Sequence, residues 1–129
     1  MNRFAQRLED FENALKRLKE GIEISNPDTL QIDGILQRFE FTFELSWKTI
    51  KDYLEYEGFS EKIGSPREII QQAFKQHIIE DGDGWIKMML ARNSLSHLYD
   101  EETSRKIYNE IKEKYVYLIN DVVDKLKNI

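Results

Sequence analysis

Apolar residues return every three or four positions along most of the chain. Phe4, Leu8, Phe11, Leu15, Leu18 and Ile22 make the first such stripe, the signature of one buried face of a helix, and predict a helix from about Asn2 to Gly21. Asn26-Pro27-Asp28 interrupts it, and Asp28 followed by Gln31 has the form of a capping box. A second helix is predicted from about Thr29 to Glu57. Its middle, Phe39 to Trp47, alternates as a strand would. Ile32, Ile35, Leu36, Phe39, Phe43, Trp47, Ile50 and Leu54 nevertheless keep helical spacing over a stretch longer than strands run. Phe41 and Leu45 add a second apolar line, which places this helix centrally in its bundle or against another chain.

Gly58 ends that helix. Ser65-Pro66-Arg67-Glu68 is a helix start, with Ser as cap, Pro in the first turn and Glu closing the box. Ile69, Ile70, Ala73, Phe74 and Ile78 form the stripe of a third helix. Glu80 to Gly84 reads as a turn, and a fourth helix is predicted from about Gly84 to Leu98. Asp100 caps a fifth, whose stripe is Ile107, Ile111, Leu118, Val122 and Leu126, flanked by Tyr108, Tyr115 and Tyr117. Short connections between such elements predict an all-α, antiparallel up-and-down bundle of four to five helices, with residues 1–129 as a single domain.

Composition narrows the function classes. The 129 residues are 40% apolar and 33% charged, with no cysteine, so disulfides and thiolate metal sites are excluded. No run approaches a membrane span, and the first residues enter an amphipathic pattern directly, without a signal-peptide core. A cytoplasmic protein that engages no membrane is expected. A formal net charge of −5 argues against a broad basic surface for nucleic acid, while leaving room for a local site or one completed by a partner.

Candidate chemistry gathers in Arg92-Asn93-Ser94-Leu95-Ser96-His97-Leu98-Tyr99. At roughly 100° per residue, Trp85, Met88, Met89 and Leu95 share one side of the fourth helix, and Arg92, Ser96 and Tyr99 fall within that same cluster. Asn93 and His97 share the adjoining edge. Polar side chains that continue a core-facing stripe need partners, because burying them bare is costly. One reading is a polar network that locks the helix end. The other is a site with one titratable imidazole and one fixed cation, fit for moving protons and holding a phosphate during phosphodiester cleavage. Arg92 and His97 lie roughly 140° apart around an ideal helix, so a convergent site needs two copies facing each other across a two-fold axis. His77 reads as a cap or surface residue. Asp81 and Asp83 lack the ligand series of a calcium loop. Two distant histidines make no zinc pattern, and no phosphate-binding glycine motif is present. No metal or cofactor is therefore expected. Glu40 and Glu44 read as a solvated pair, and Lys48 and Lys51 as surface lysines.

Arg92-Asn93, three residues and His97 match the R-polar-x3-H form of the HEPN superfamily, and Leu98-Tyr99 extends it to R-x4-H-x-Y, which resembles the HepT toxins. Arg38 to Lys48, Asp52 to Gly58, Gly64 to Glu68 and Arg92 to Asp100 together resemble the nucleotidyltransferase substrate-binding branch, in order over most of the chain. That resemblance implies a helical bundle that forms a homodimer and partners a minimal, MntA-like nucleotidyltransferase. It implies an endoribonuclease toxin acting on RNA, in which Arg92 and His97 are catalytic, Asn93 and Ser96 support them, and Tyr99 accepts AMP from the partner as antitoxin. The branch name implies an alternative: a non-catalytic subunit that presents substrate to the nucleotidyltransferase.

Overall fold

The computed structural model describes residues 3–59, 64–97 and 100–129. The chain begins with α1 (Arg3–Ile22), turns at Asn26, and enters α2 (Thr29–Tyr56) through the expected capping box: Gln31 N–H donates to the Asp28 carboxylate, and the Asp28 N–H donates to Gln31. Polar links from α2 back to α1 pair Arg38 with Arg17, Thr42 with Ala14 and Thr49 with Arg7. The descending order makes the two helices antiparallel. They approach closely because α2 turns hydroxyls rather than bulk toward α1. Thr42 and Thr49 also donate to carbonyls one turn back, so these buried groups are satisfied. Gly21 belongs to the same seam, since a Cβ there would meet Ile35 at 2.9 Å.

Next come α3 (Pro66–Lys75), capped by Ser65 and Glu68, and α4 (Gly82–Ser94), which continues as a single 3₁₀ turn (Leu95–His97). Asp100 caps α5 (Glu101–Glu110), and a π-helical turn (Ile111–Tyr115) joins it to α6 (Val116–Lys127). Lys19 meets Asn120 and Glu12 meets Lys127, so α6 lies antiparallel to α1 on its other side. One core cluster fills the space between these helices, with Phe11, Phe39, Phe43, Trp85, Ile111 and Ile119 at its centre. This is the all-α bundle expected from the apolar stripes.

Several details differ from the sequence reading. α3 stops at Lys75 instead of carrying its stripe to Ile78. His77 takes a left-handed φ of 62°, and Ile78 and Ile79 are buried from the connection that follows, while Phe74 is exposed. α4 starts at Gly82 because Asp81 caps it, accepting from Gly84 N–H at 2.9 Å. Tyr108 and Tyr115 are core residues rather than flanking ones. The π turn inserts one residue into the helical register, so Tyr115, Val116 and Ile119 turn inward and Leu118 is only half-buried. Phe41 is not covered by the bundle: it remains 61% exposed.

Candidate functional site

The inner face of α4 runs through Trp85, Met88 and Met89, all buried, with the Trp85 ring 6.1 Å from that of Phe43 on α2. The next residue on that face is Arg92. Its Nη2 donates to Glu44 Oε2 on α2 at 3.0 Å. The same oxygen accepts from Trp47 Nε1 at 3.2 Å, and Lys48 Nζ lies 3.5 Å from Oε1. The Lys48 ammonium also stands 5.8 Å from the Trp47 ring centre, within cation–π range. Glu44, expected as a solvated surface residue, is thus the anchor of Arg92, and Lys48 shares its carboxylate. One carboxylate among two cations leaves the cluster one positive charge in excess.

The Arg92 and Glu44 side chains keep 30% and 32% of their surface open, yet Arg92 Nε is buried and has no partner. An unsatisfied buried donor is a cost to stability that a bound acceptor would relieve. Three donors converge on Glu44, which holds the carboxylate in place, and the guanidinium is tied to it through Nη2.

Beyond Ser94 the helix tightens. Ser94 donates to the Ala91 carbonyl at 2.7 Å and Ser96 to that of Asn93 at 3.1 Å. Ser96 is therefore exposed and bonded to backbone, not turned to the buried face as the α-helical projection predicted. Asn93 and His97 are exposed too, and among the described residues no hydrogen bond or ion pair holds the imidazole. The 3₁₀ turn winds about 120° per residue, which carries His97 to roughly 180° from Arg92 instead of 140°. One chain separates the two groups more completely than the sequence implied. Leu98 and Tyr99 lie outside the described residues. After them Asp100 accepts from the Thr103 N–H at 2.6 Å and its hydroxyl at 3.0 Å, bonds that hold its carboxyl below the usual aspartate range.

Other candidates resolve simply. His77 is an exposed residue past the end of α3 whose carbonyl accepts from Lys125 at 3.3 Å. Asp81 is spent on the α4 cap and on Lys114 at 3.7 Å. Among the described residues no three His, Cys, Asp or Glu side chains gather as metal ligands, and no helix is long and apolar enough to cross a membrane.

The geometry supplies a fixed, half-open cation and, on the opposite side of the same helix end, an unrestrained imidazole. Comparison with known proteins gives it a context. Residues 6–128 match the family model described as nucleotidyltransferase substrate binding protein like. A probable ribonuclease HepT of Haemophilus influenzae is 36% identical over 87 residues, which cover 65% of this chain and 59% of that relative. The match thus spans less than two thirds of the relative's length. A crystal structure from Thermus thermophilus superposes with a TM-score of 0.82 at 30% identity, covering 91% of this chain and 98% of the other. A Haemophilus influenzae structure, described as the fold of a substrate binding domain of a nucleotidyltransferase, gives 0.83 at 24% identity, covering 93% and 98%. That last likeness speaks for the fold.

Proposed function

The chain belongs to the nucleotidyltransferase substrate binding protein like family, and on that premise we propose that it is an RNA-cleaving partner of a minimal nucleotidyltransferase. The observation that carries this reading is the Glu44–Arg92 couple: an arginine fixed by a carboxylate, half open to solvent, with a donor left unpaired.

In the proposed reaction the 2′-hydroxyl of a ribose attacks the adjacent phosphate. The P–O bond to the next nucleotide breaks, leaving a 2′,3′-cyclic phosphate and a free 5′-hydroxyl. His97 moves protons, taking one from the attacking hydroxyl or giving one to the leaving oxygen. Arg92 neutralises the charge that builds on the non-bridging oxygens. Glu44 keeps Arg92 in place so that little reorganisation accompanies the step. Asn93 and Ser96 would shape the turn that presents His97. Because Arg92 and His97 face apart on one chain, the working unit is a homodimer in which Arg92 of one copy meets His97 of the other.

Regulation by the partner would act on Tyr99: the nucleotidyltransferase transfers AMP from ATP to the phenol oxygen and releases pyrophosphate. The experiment is RNA cleavage by the purified chain in EDTA, before and after incubation with partner and ATP, alongside intact mass. Expected are cleavage that survives EDTA, mass gains in AMP units, loss of activity with them, and neither change in Tyr99→Phe. Intact RNA at all protein concentrations would refute the nuclease. The family description keeps a second reading in view, a non-catalytic subunit that holds substrate for the nucleotidyltransferase. It predicts a tight complex with no cleavage.

A further inference from the structure

One face of α2 is left open around Gly34, Gln37 and Phe41. At roughly 100° per residue, Gly34, Gln37, Phe41, Leu45 and Lys48 share a stripe opposite the buried line of Ile32, Phe39, Phe43 and Ile50. Phe41 stands exposed at its centre. Beside it a hollow is lined by Ala14, Arg17, Gly34, Gln37, Arg38 and Phe41. No carboxylate lines it, although the whole chain carries a net charge of −5.

Neither of its two guanidiniums meets a carboxylate among the described residues. Arg7, Arg92 and Arg105 each reach an acidic side chain. Among the described residues Arg17 and Arg38 reach none; Arg38 Nη1 donates instead to the Arg17 carbonyl at 2.6 Å, which lays its head across the α1–α2 seam. The hollow is also kept open at some expense. Gly34 sits inside a long helix, where glycine is a poor choice, and a Cβ there would meet nothing within 4 Å. Neither backbone conformation nor close packing requires glycine at this position.

The hollow and the Glu44–Arg92 site are both borne by α2. Phe41 is one helical turn from Glu44, and Arg38 is roughly 9 Å from Glu44 along the axis, a length that a nucleotide or two of single strand can bridge. Cations therefore flank an exposed aromatic ring on both sides, Arg17 and Arg38 on the α1 side and Arg92 and Lys48 on the α4 side. This is the chemistry of single-strand binding, in which a ring stacks a base and arginines grip the phosphates around it.

We propose that Phe41, Arg17 and Arg38 form a subsite for single-stranded RNA, where a base stacks on Phe41 and a neighbouring phosphate lies between the arginines while the scissile phosphate rests at Arg92. The subsite deepens the RNA-cleavage reading and rests on it for the register of the strand. Its test does not require cleavage. Fluorescence anisotropy of the full chain with a labelled single-stranded oligonucleotide, 2′-O-methylated throughout, measures binding alone.

Phe41→Ala should weaken binding about ten-fold, within the range that base–aromatic stacking supplies, and Phe41→Trp should retain it. Arg17→Ala should weaken binding and reduce the slope of log K against log salt by about 0.7, the loss of one single-strand phosphate contact. Gly34→Glu should abolish binding by filling the hollow with an anion. Absence of wild-type binding, or unchanged affinity and salt slope in these variants, overturns the subsite. So does a loss of dimer mass in light scattering with RNA affinity intact, which would make the face a contact between copies. If the variants behave as expected while ordinary RNA stays intact, the subsite stands and the nuclease falls. If RNA is cut and the variants bind normally, the reverse holds.

Discussion

Two arginine–carboxylate couples tie α2 to its neighbours; their arginines are equally exposed, but their carboxylates sit in different settings. Asp52 pairs with Arg7 of α1 at 3.5 Å, its side chain only 7% exposed. Burial pushes its carboxyl above the usual aspartate range, opposed by the nearby Arg7 and Arg3 charges. One of its oxygens accepts no hydrogen bond. Glu44, two turns earlier, pairs with Arg92 of α4 in a half-open setting and gathers Trp47 and Lys48 as well. The first couple closes a seam between helices around a buried carboxylate. The second holds one arginine at the edge of solvent through a carboxylate that Trp47 and Lys48 also engage, an arrangement suited to keeping a cation ready for use. An ion pair's role thus follows from what its surplus donors face.

Mutations should separate the two couples. The largest effect is expected at the open one: Arg92→Ala or His97→Ala lowers RNA cleavage about a thousand-fold, with thermal midpoints within a few degrees of wild type. Arg92→Lys does not rescue, since an ammonium cannot replace a forked guanidinium. Glu44→Gln costs about ten- to a hundred-fold in rate. Equal melting shifts and no rate effect would place this couple with the structural one. At the closed couple the pattern inverts. Arg7→Ala strands the Asp52 carboxylate and destabilises by about 2 kcal/mol, less than for a fully sealed pair because Arg7 is partly exposed, with cleavage by the folded protein retained. Denaturant melts and activity assays on one preparation decide this.

A smaller effect is a pH slope. Asp52 binds its proton more tightly in the folded state than in the unfolded chain, so its contribution to stability falls as pH rises from the ordinary aspartate value of 3.8 through the raised folded value, and returns on acidification. Asp52→Asn should remove that slope, as read from denaturation midpoints across the acid range. The smallest expected change is a gain: Gly34→Ala stabilises by about 0.5–1 kcal/mol, since the helix favours alanine and open space surrounds the new methyl.

Much of the fold was legible because helices declare themselves through spacing. The caps at Asp28, Ser65 and Asp100 are written in local sequence and appear as such. The π turn at Ile111–Tyr115 is not, because an apolar stripe reads alike with one residue slipped, and the inward turn of Tyr115 depends on packing against Phe39 at 5.9 Å. In the site, Arg92's need for a partner was evident from its place on a core-facing stripe. Its identity was not. Glu44 and Lys48 stand four apart on a helix, a spacing typical of surface pairs, and only the seating of α4 on α2 brings Arg92 to Glu44. The 3₁₀ turn that separates His97 from Arg92 has no sequence marker beyond two serines competing for helical carbonyls.

Everything proposed about cleavage depends on Arg92 and His97 of different copies making one site. Mixing Arg92→Ala and His97→Ala proteins, each inactive alone, tests it directly. After subunit exchange about half of the dimers are mixed, and each mixed dimer holds one site with both residues intact. RNA cleavage should return to about a quarter of the wild-type rate. Mixed protein that remains inactive, with exchange verified by mass and the wild type active, would contradict a shared site.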